Sequence, residues 1–339
     1  MFSKIKYLYL NRPLYKLIVN NLKYRGIYYG KLTTVLFFFL VCLQSVAQQD
    51  PIFTQYMYNG QVLNPAYAGI WEKAGFTALV REQWAGINRA PLTESISLHS
   101  PLNNESVGVG LNIINDTYGR EQRLSVLADY AFEVNLTPWR RLRLGVKFGF
   151  TNYKNPLTEY QLYPDGEYDP AFAQDIDLPF LPNFGIGAFL YEDNYYIGLA
   201  IPKLVENDFS YNYQNYSTQS EIRTIYLNGG YVFFLDPFSR FIFKPTLMIR
   251  GTWDMPIQYD LAANLLIYER IWTGLMWRAG NGQAVCATFQ WLLNKNLRVG
   301  FAMDITYNDI FPYQNGTYEF TLGWDMDFFG RSYVRAKYF

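Results

Sequence analysis

The chain has very little of what most site chemistry needs. Among 339 residues there is one histidine, His99, and there are two cysteines, Cys42 and Cys286. A zinc site draws on several such ligands, so none can be assembled from these, and no cofactor is expected. No glycine-rich phosphate loop is present either. Gly-x-Gly at 108–110 and at 185–187 lies inside alternating segments, where small residues let side chains or backbone pack into a narrow interior. Beyond residue 47 no apolar run approaches 18 residues, which excludes a transmembrane helix there. The first 47 residues lack Asp and Glu altogether.

That acidic gap belongs to an export signal. It holds seven basic residues, Lys4, Lys6, Arg12, Lys16, Lys23, Arg25 and Lys31. The apolar run Leu32–Leu43 follows, and then the small-x-small exit Ser45-Val46-Ala47. A basic start, a short apolar core and a small-residue exit describe a secretory signal peptide, and the core is too short for a span of roughly 20 residues. The basic region is long, which leaves room for a start codon further downstream. Residues 1–47 are therefore expected to be removed. Seven of the 29 basic residues leave with them, so 22 remain against 29 acidic ones. Nucleic-acid binding calls for a basic patch or stripe, and this balance argues against it. Cys42 also leaves, so Cys286 has no intrachain disulfide partner.

What the rest of the chain has is aromatic side chains and alternation. Tyr, Phe and Trp number 30, 26 and 8. Outer-membrane barrels carry aromatic girdles, an apolar outer face and a polar interior. From Arg141 to Thr151 the even positions are Leu142, Leu144, Val146, Phe148 and Phe150, whereas the odd ones include Arg141, Arg143 and Lys147. Successive strand side chains point to opposite faces, so this is a two-faced strand. Leu124–Leu136, Leu297–Tyr307 and Tyr318–Met326 repeat the pattern. Strands of about 9–11 residues suit a tilted membrane crossing. About fourteen such segments lie between residues 76 and 326, an even number as single-chain barrels require. The expected fold is all-β: a transmembrane, antiparallel, up-and-down β-barrel over residues 75–339.

Loop lengths give an orientation. The connections after even-numbered strands are short, at 101–104, 136–140, 192–194, 235–240, 268–269 and 292–296. The long ones, 154–182 and 203–220, follow odd-numbered strands. Such barrels have short periplasmic turns and longer extracellular loops, which places both termini on the periplasmic side. The loop 154–182 carries Tyr160, Tyr163, Pro164, Asp165, Tyr168, Asp169 and Pro170; it reads as a solvated cap or a partner surface. Inward carboxylates Asp129, Asp304, Glu319 and Asp325 are expected to pair with Arg81, Arg141, Arg143, Lys147 and Arg298 in a hydrated lattice stiffening the barrel.

Residues 48–74 do not alternate. They read as a periplasmic or lumen-inserted segment, with Asn64-Pro65 as a turn initiator. Asp50–Gly69 (DPIFTQYMYNGQVLNPAYAG) resembles the opening of the PorP/SprF family of the Bacteroidetes type IX secretion system. So does Arg81–Leu102, with its Arg-x-Gln-Trp-x-Gly core and Ser-Leu-His-x-Pro-Leu end. Gly108–Gly119, Asn183–Leu204, Lys244-Pro245-Thr246, Gln258–Leu265, Leu297–Gly300 and the last strand extend the resemblance. Lys203 stands where the family often has His. The chain ends in Lys337-Tyr338-Phe339, an aromatic terminus suited to barrel assembly.

The resemblance implies a non-enzymatic outer-membrane component. Its implied partners are outer-membrane lipid and either periplasmic machinery (ring, stator or an OmpA-like peptidoglycan-binding protein) or a secreted surface adhesin. Export and anchoring of secreted proteins, as in gliding motility, are the implied roles. Motif position nominates Asn64, Pro65, Arg81, Gln83, Trp84, Gly86 and His99 as contact residues. The plainer reading has Arg81, Gln83 and Trp84 closing the first extracellular turn, and His99 making a structural contact inside the barrel. Ser97 and His99 on one strand are a poor nucleophile–base pair, since a base needs hydrogen-bond reach and an orienting third group. The alternative function is a diffusion channel or a transporter of hydrophobic substrates.

Overall fold

The computed structural model describes residues 51–71, 73–102, 106–161, 169–207, 221–253, 255–280 and 282–326. The signal segment 1–47, the aromatic C-terminal end and the loop residues Tyr163, Pro164, Asp165 and Tyr168 lie outside the described residues. The strand segments are β1 (Ala74–Glu82), β2 (Leu92–Pro101), β3 (Val107–Tyr118), β4 (Glu121–Asn135), β5 (Arg141–Asn155), β6 (Ile176–Tyr191) and β7 (Tyr195–Ile201). They continue as β8 (Thr224–Tyr231), β9 (Phe233–Phe234), β10 (Phe241–Thr252), β11 (Gln258–Ile267), β12 (Ile271–Ala279), β13 (Ala284–Leu292), β14 (Leu297–Thr306) and β15 (Thr317–Met326).

All pairings are antiparallel, and β1 pairs with β15 from Ala74↔Met326 to Glu82↔Tyr318, which closes the sheet on itself. Both β8 and β9 pair with β10. They are two lengths of one strand, interrupted where β10 presents Pro245, which has no N–H for the ladder. The barrel therefore has fourteen strands, as the alternation predicts.

Burial follows the expected parity. Along β5, Arg143, Lys147 and Thr151 are buried while Leu144, Val146 and Phe148 are exposed on the outer face. The same holds on β15, where Glu319 and Thr321 are buried and Phe320, Leu322 and Trp324 are exposed. The exposed aromatics Trp139, Phe238 and Tyr268 sit in the short turns at one end, a position suited to the girdle at a membrane interface.

One boundary differs from expectation. The sequence predicts a loop over 154–182, but β6 already begins at Ile176. Pro179 and Pro182 disguise this stretch as turn chemistry. The strand accommodates them through a register shift opposite Thr151 and Tyr153, since a bulge relieves the ladder where a proline cannot donate.

Residues 51–71 form three short 3₁₀ turns, Tyr56–Tyr58, Gly60–Val62 and Pro65–Tyr67. They hydrogen-bond to strands all round the barrel, from β14 and β15 through β1, β2 and β4 to β5, β6 and β8. The interior is consequently not uniformly polar. Phe53, Tyr56, Met57, Tyr58, Val62 and Tyr67 share an apolar cluster with the inward Phe189, Tyr226, Ile242, Met248, Trp272 and Met276. Burying one such side chain stabilises by about 1.5–3 kcal/mol. The inserted segment shields these inward positions from water, which is why they can be apolar.

The contacts of that segment give it a direction. β1 starts and β15 ends at the short-turn end. Thr54, however, is bonded to Asp304 and Glu319, near the opposite ends of β14 and β15. The chain then descends the lumen, and Ala66 and Ala68 meet Arg143 close to the short turns.

Candidate functional site

The lumen segment is held by charged clusters that the strand parity places inside. At the end with the long loops, Arg81 pairs with Asp304 at 2.8 Å and with Glu319 at 3.1 Å. Arg278 bridges Asp304 at 3.2 Å and Asp260 at 3.1 Å, and Arg250 closes the row on Asp260 at 3.0 Å. Three cations thus alternate with three carboxylates across six strands. Isolated charges would be costly to bury here; each of these faces opposite charge and hydrogen-bond partners. This row grips the segment directly. Glu319 accepts the backbone N–H of Thr54 and of Gln55, at 2.8 and 2.7 Å. The Thr54 hydroxyl donates to Asp304 and accepts from Arg81.

Midway down, Lys147 pairs with Asp129 at 2.9 Å and donates to the Gln61 carbonyl at 3.2 Å. The Gln61 amide in turn donates to Asp129 at 3.0 Å. At the short-turn end Arg143 donates to the carbonyls of Ala66 and Ala68 and pairs with Glu133 at 3.0 Å. Arg141 also pairs with Glu133. Arg298 pairs with Asp325 and lies 4.1 Å over the Trp71 ring. The expected ion pairing inside the barrel is present. Its added feature is the inserted chain, which takes up donors and acceptors that a water-filled lumen would have hydrated.

The wall is shaped for this backbone. A Cβ at Gly108 would stand 2.0 Å from the Ala68 carbonyl oxygen, one at Gly145 would stand 2.3 Å from the Ala66 nitrogen, and one at Gly187 would stand 2.0 Å from Asn64 Oδ1. Only glycine allows so close an approach.

The structure separates the motif residues nominated from sequence. Asn64 caps the turn Pro65–Tyr67: its side chain accepts from the Ala66 N–H at 2.9 Å and donates to the Ala188 carbonyl at 3.1 Å. Pro65 opens that turn with its φ already set. Arg81 does not close an outer turn; it is buried in the lumen row. Gln83 and Trp84 do belong to the turn. Gln83 N–H donates to Pro91, and Trp84, with φ of 58°, donates to the Thr317 hydroxyl. Gly86, with φ of 94°, lies against Asn315.

His99 is inward, edge-on to Trp71 with ring centres 5.4 Å apart. The Ser97 hydroxyl is committed to Asn112 and Asn59, not to His99, so the two form no nucleophile–base pair. Among the described residues no group of three His, Cys, Asp or Glu could hold a metal ion. Thr54, Gln55, Gln61, Arg250, Asp260 and Arg278 were missed from sequence. Inward parity on β10, β11 and β12 could have flagged the last three, but no periodicity marks the first three.

The family model for the type IX secretion system membrane protein PorP/SprF matches residues 45–324. The chain belongs to this family. PorP/SprF membership and a closed barrel with an apolar outer belt together make it an outer-membrane protein of the type IX secretion system. Family and fold are non-enzymatic in kind. No curated protein matches the chain. Among solved structures, the Acinetobacter baumannii outer membrane protein Omp33 is 8% identical, with 76% of this chain and 100% of that chain covered and a TM-score of 0.44. Salmonella typhi OmpF is also 8% identical, with 75% and 97% covered and a TM-score of 0.37.

Proposed function

We propose that this PorP/SprF protein is a closed, membrane-held attachment point for type IX secretion. In this reading it helps export secreted proteins or anchor them at the cell surface, and it docks to periplasmic machinery. It is made as a precursor, loses residues 1–47, and catalyses no reaction. The observation that carries the reading is the lumen segment 51–71, bonded to Glu319, Asp129 and Arg143 along the barrel. A barrel so filled offers partners its rims and outer wall. The short turns face the periplasm, as in other barrels of this type, and would meet ring, stator or peptidoglycan-binding components. The longer loops would meet an exported adhesin.

Deletion of the gene tests this. Proteins that carry type IX sorting domains should disappear from the cell surface, and complementation should restore them. The purified barrel should bring down secretion components from detergent-solubilised membranes. Undisturbed surface delivery in the deletion strain would rule the reading out. The diffusion-channel alternative predicts a large, steady conductance in planar bilayers, and the filled lumen predicts none.

A further inference from the structure

The lumen segment enters the barrel at the end opposite the one where β1 begins. Its contacts fix the direction residue by residue. Ile52 Cδ1 lies 3.9 Å from where a Cβ on Gly282 would stand, in the turn between β12 and β13. Thr54 is held by Arg81, Asp304 and Glu319, each within two residues of the strand end on that same side. Asn59 then meets Ser97, and Gln61 meets Asp129, both deeper in their strands. Ala66 and Ala68 meet Arg143, two residues inside the opposite end of β5. Trp71 packs on His99 and Arg298 beside the start of β1. The polypeptide thus traverses the lumen once before the first strand is laid down.

We infer that this traverse runs from the outside in: Pro51 and Ile52 stand at the cell-surface mouth of the barrel. Both residues are half-buried, whereas Phe53 to Met57 are buried. A polypeptide partner that recognises the N-terminal end of the segment therefore reaches it from outside the cell. Periplasmic components are confined to the short turns and the Trp71 end. The direction of the traverse is independent of the secretion reading; only the words "outside" and "periplasm" rest on it, through loop-length orientation.

Cysteine labelling separates the two. Cys286 is buried and should stay silent to a membrane-impermeant maleimide. Ile52→Cys should label on intact cells. So should Trp253→Cys, whose parent side chain is 95% exposed in the loop after β10. Trp139→Cys, in the turn between β4 and β5, should label only after the outer membrane is permeabilised. Ile52→Cys behaving like Trp139→Cys while Trp253→Cys labels on intact cells would overturn the direction of the traverse. Trp253→Cys and Ile52→Cys both silent until permeabilisation, with Trp139→Cys open, would overturn the orientation and the secretion-facing assignment with it. An epitope inserted between Asp50 and Pro51, probed with antibody on intact cells, gives a second readout if Ile52→Cys fails to fold. Antibody binding only after permeabilisation would count against the inference equally.

Discussion

The carboxylate of Glu319 accepts the backbone N–H of Thr54 at 2.8 Å, joining residues 265 positions apart in sequence. It also takes the N–H of Gln55 and the guanidinium of Arg81. Removing its charge would leave Arg81 to Asp304 alone and weaken two backbone anchors. Breaking a buried ion pair costs about 3–5 kcal/mol. Glu319→Gln should therefore lower the thermal unfolding temperature of the detergent-solubilised barrel and make the lumen segment sensitive to protease. Glu82→Gln, at the exposed last position of β1, is the control. A Glu319→Gln barrel with wild-type melting and protease resistance would mean that the grip on Thr54 contributes nothing.

Gly145 tests the fit of wall to segment. Its missing Cβ would fall 2.3 Å from the Ala66 nitrogen and 2.5 Å from the Pro65 carbonyl carbon, both backbone atoms that cannot rotate away. Overpacking typically costs about 1–3 kcal/mol, and here the segment itself must shift. Gly145→Ala should raise ion conductance in planar bilayers from the silent baseline of the wild type. Gly251→Ala meets nothing within 4 Å and should remain silent. Equal conductance from the two variants would show that the close contact does not seal the lumen.

The strands were legible because their chemistry is local. Arg143, Lys147 and Thr151 alternate with Leu144, Val146 and Phe148, and a period of two needs only neighbours to be recognised. The start of β6 was hidden by Pro179 and Pro182, which are read as turns when the partner strand is unknown. The lumen segment was hidden more deeply. Thr54, Gln55 and Gln61 take their partners from β14, β15, β1 and β4, so nothing close in sequence signals their role. The inward glycines were a partial signal: Gly108, Gly145 and Gly187 occupy lumen positions where side chains would fit only if the lumen were empty. Asn64-Pro65 was read correctly as a turn, while the same local logic failed for Arg81, whose carboxylate partners lie more than 220 positions away.

The outer face makes its own prediction. Phe148 lies near the middle of β5 and is exposed on the apolar side. A cation at the bilayer midplane of such a barrel costs about 2–4 kcal/mol. Phe148→Arg should reduce the folded barrel recovered from outer membranes, read as loss of the heat-modifiable band on a semi-native gel. Tyr160→Arg, in the loop after β5, should leave recovery unchanged. Full recovery of Phe148→Arg would contradict a lipid-facing outer belt.

The long-loop end carries a pH-dependent element at Glu221. Burial opposes its ionisation, but Lys203 at 2.9 Å and the amide groups of Asn207 and Asn183 outweigh burial and hold its carboxyl below the ordinary carboxylate range. These contacts tie the chain ahead of β8 to β6 and to the stretch after β7. A carboxyl depressed on folding contributes stability that is full above its unfolded pKa and is lost as the pH falls through the folded one. The melting-temperature gap between wild type and Glu221→Gln should therefore be constant around neutrality. It should shrink only as the pH drops through and below the ordinary range for glutamate. Lys203→Met should reduce the stability at neutral pH by leaving Glu221 with its amide donors and no cation. A gap that instead widened on acidification would mean that Glu221 is protonated in the folded barrel at neutral pH and that Lys203 does not hold its charge.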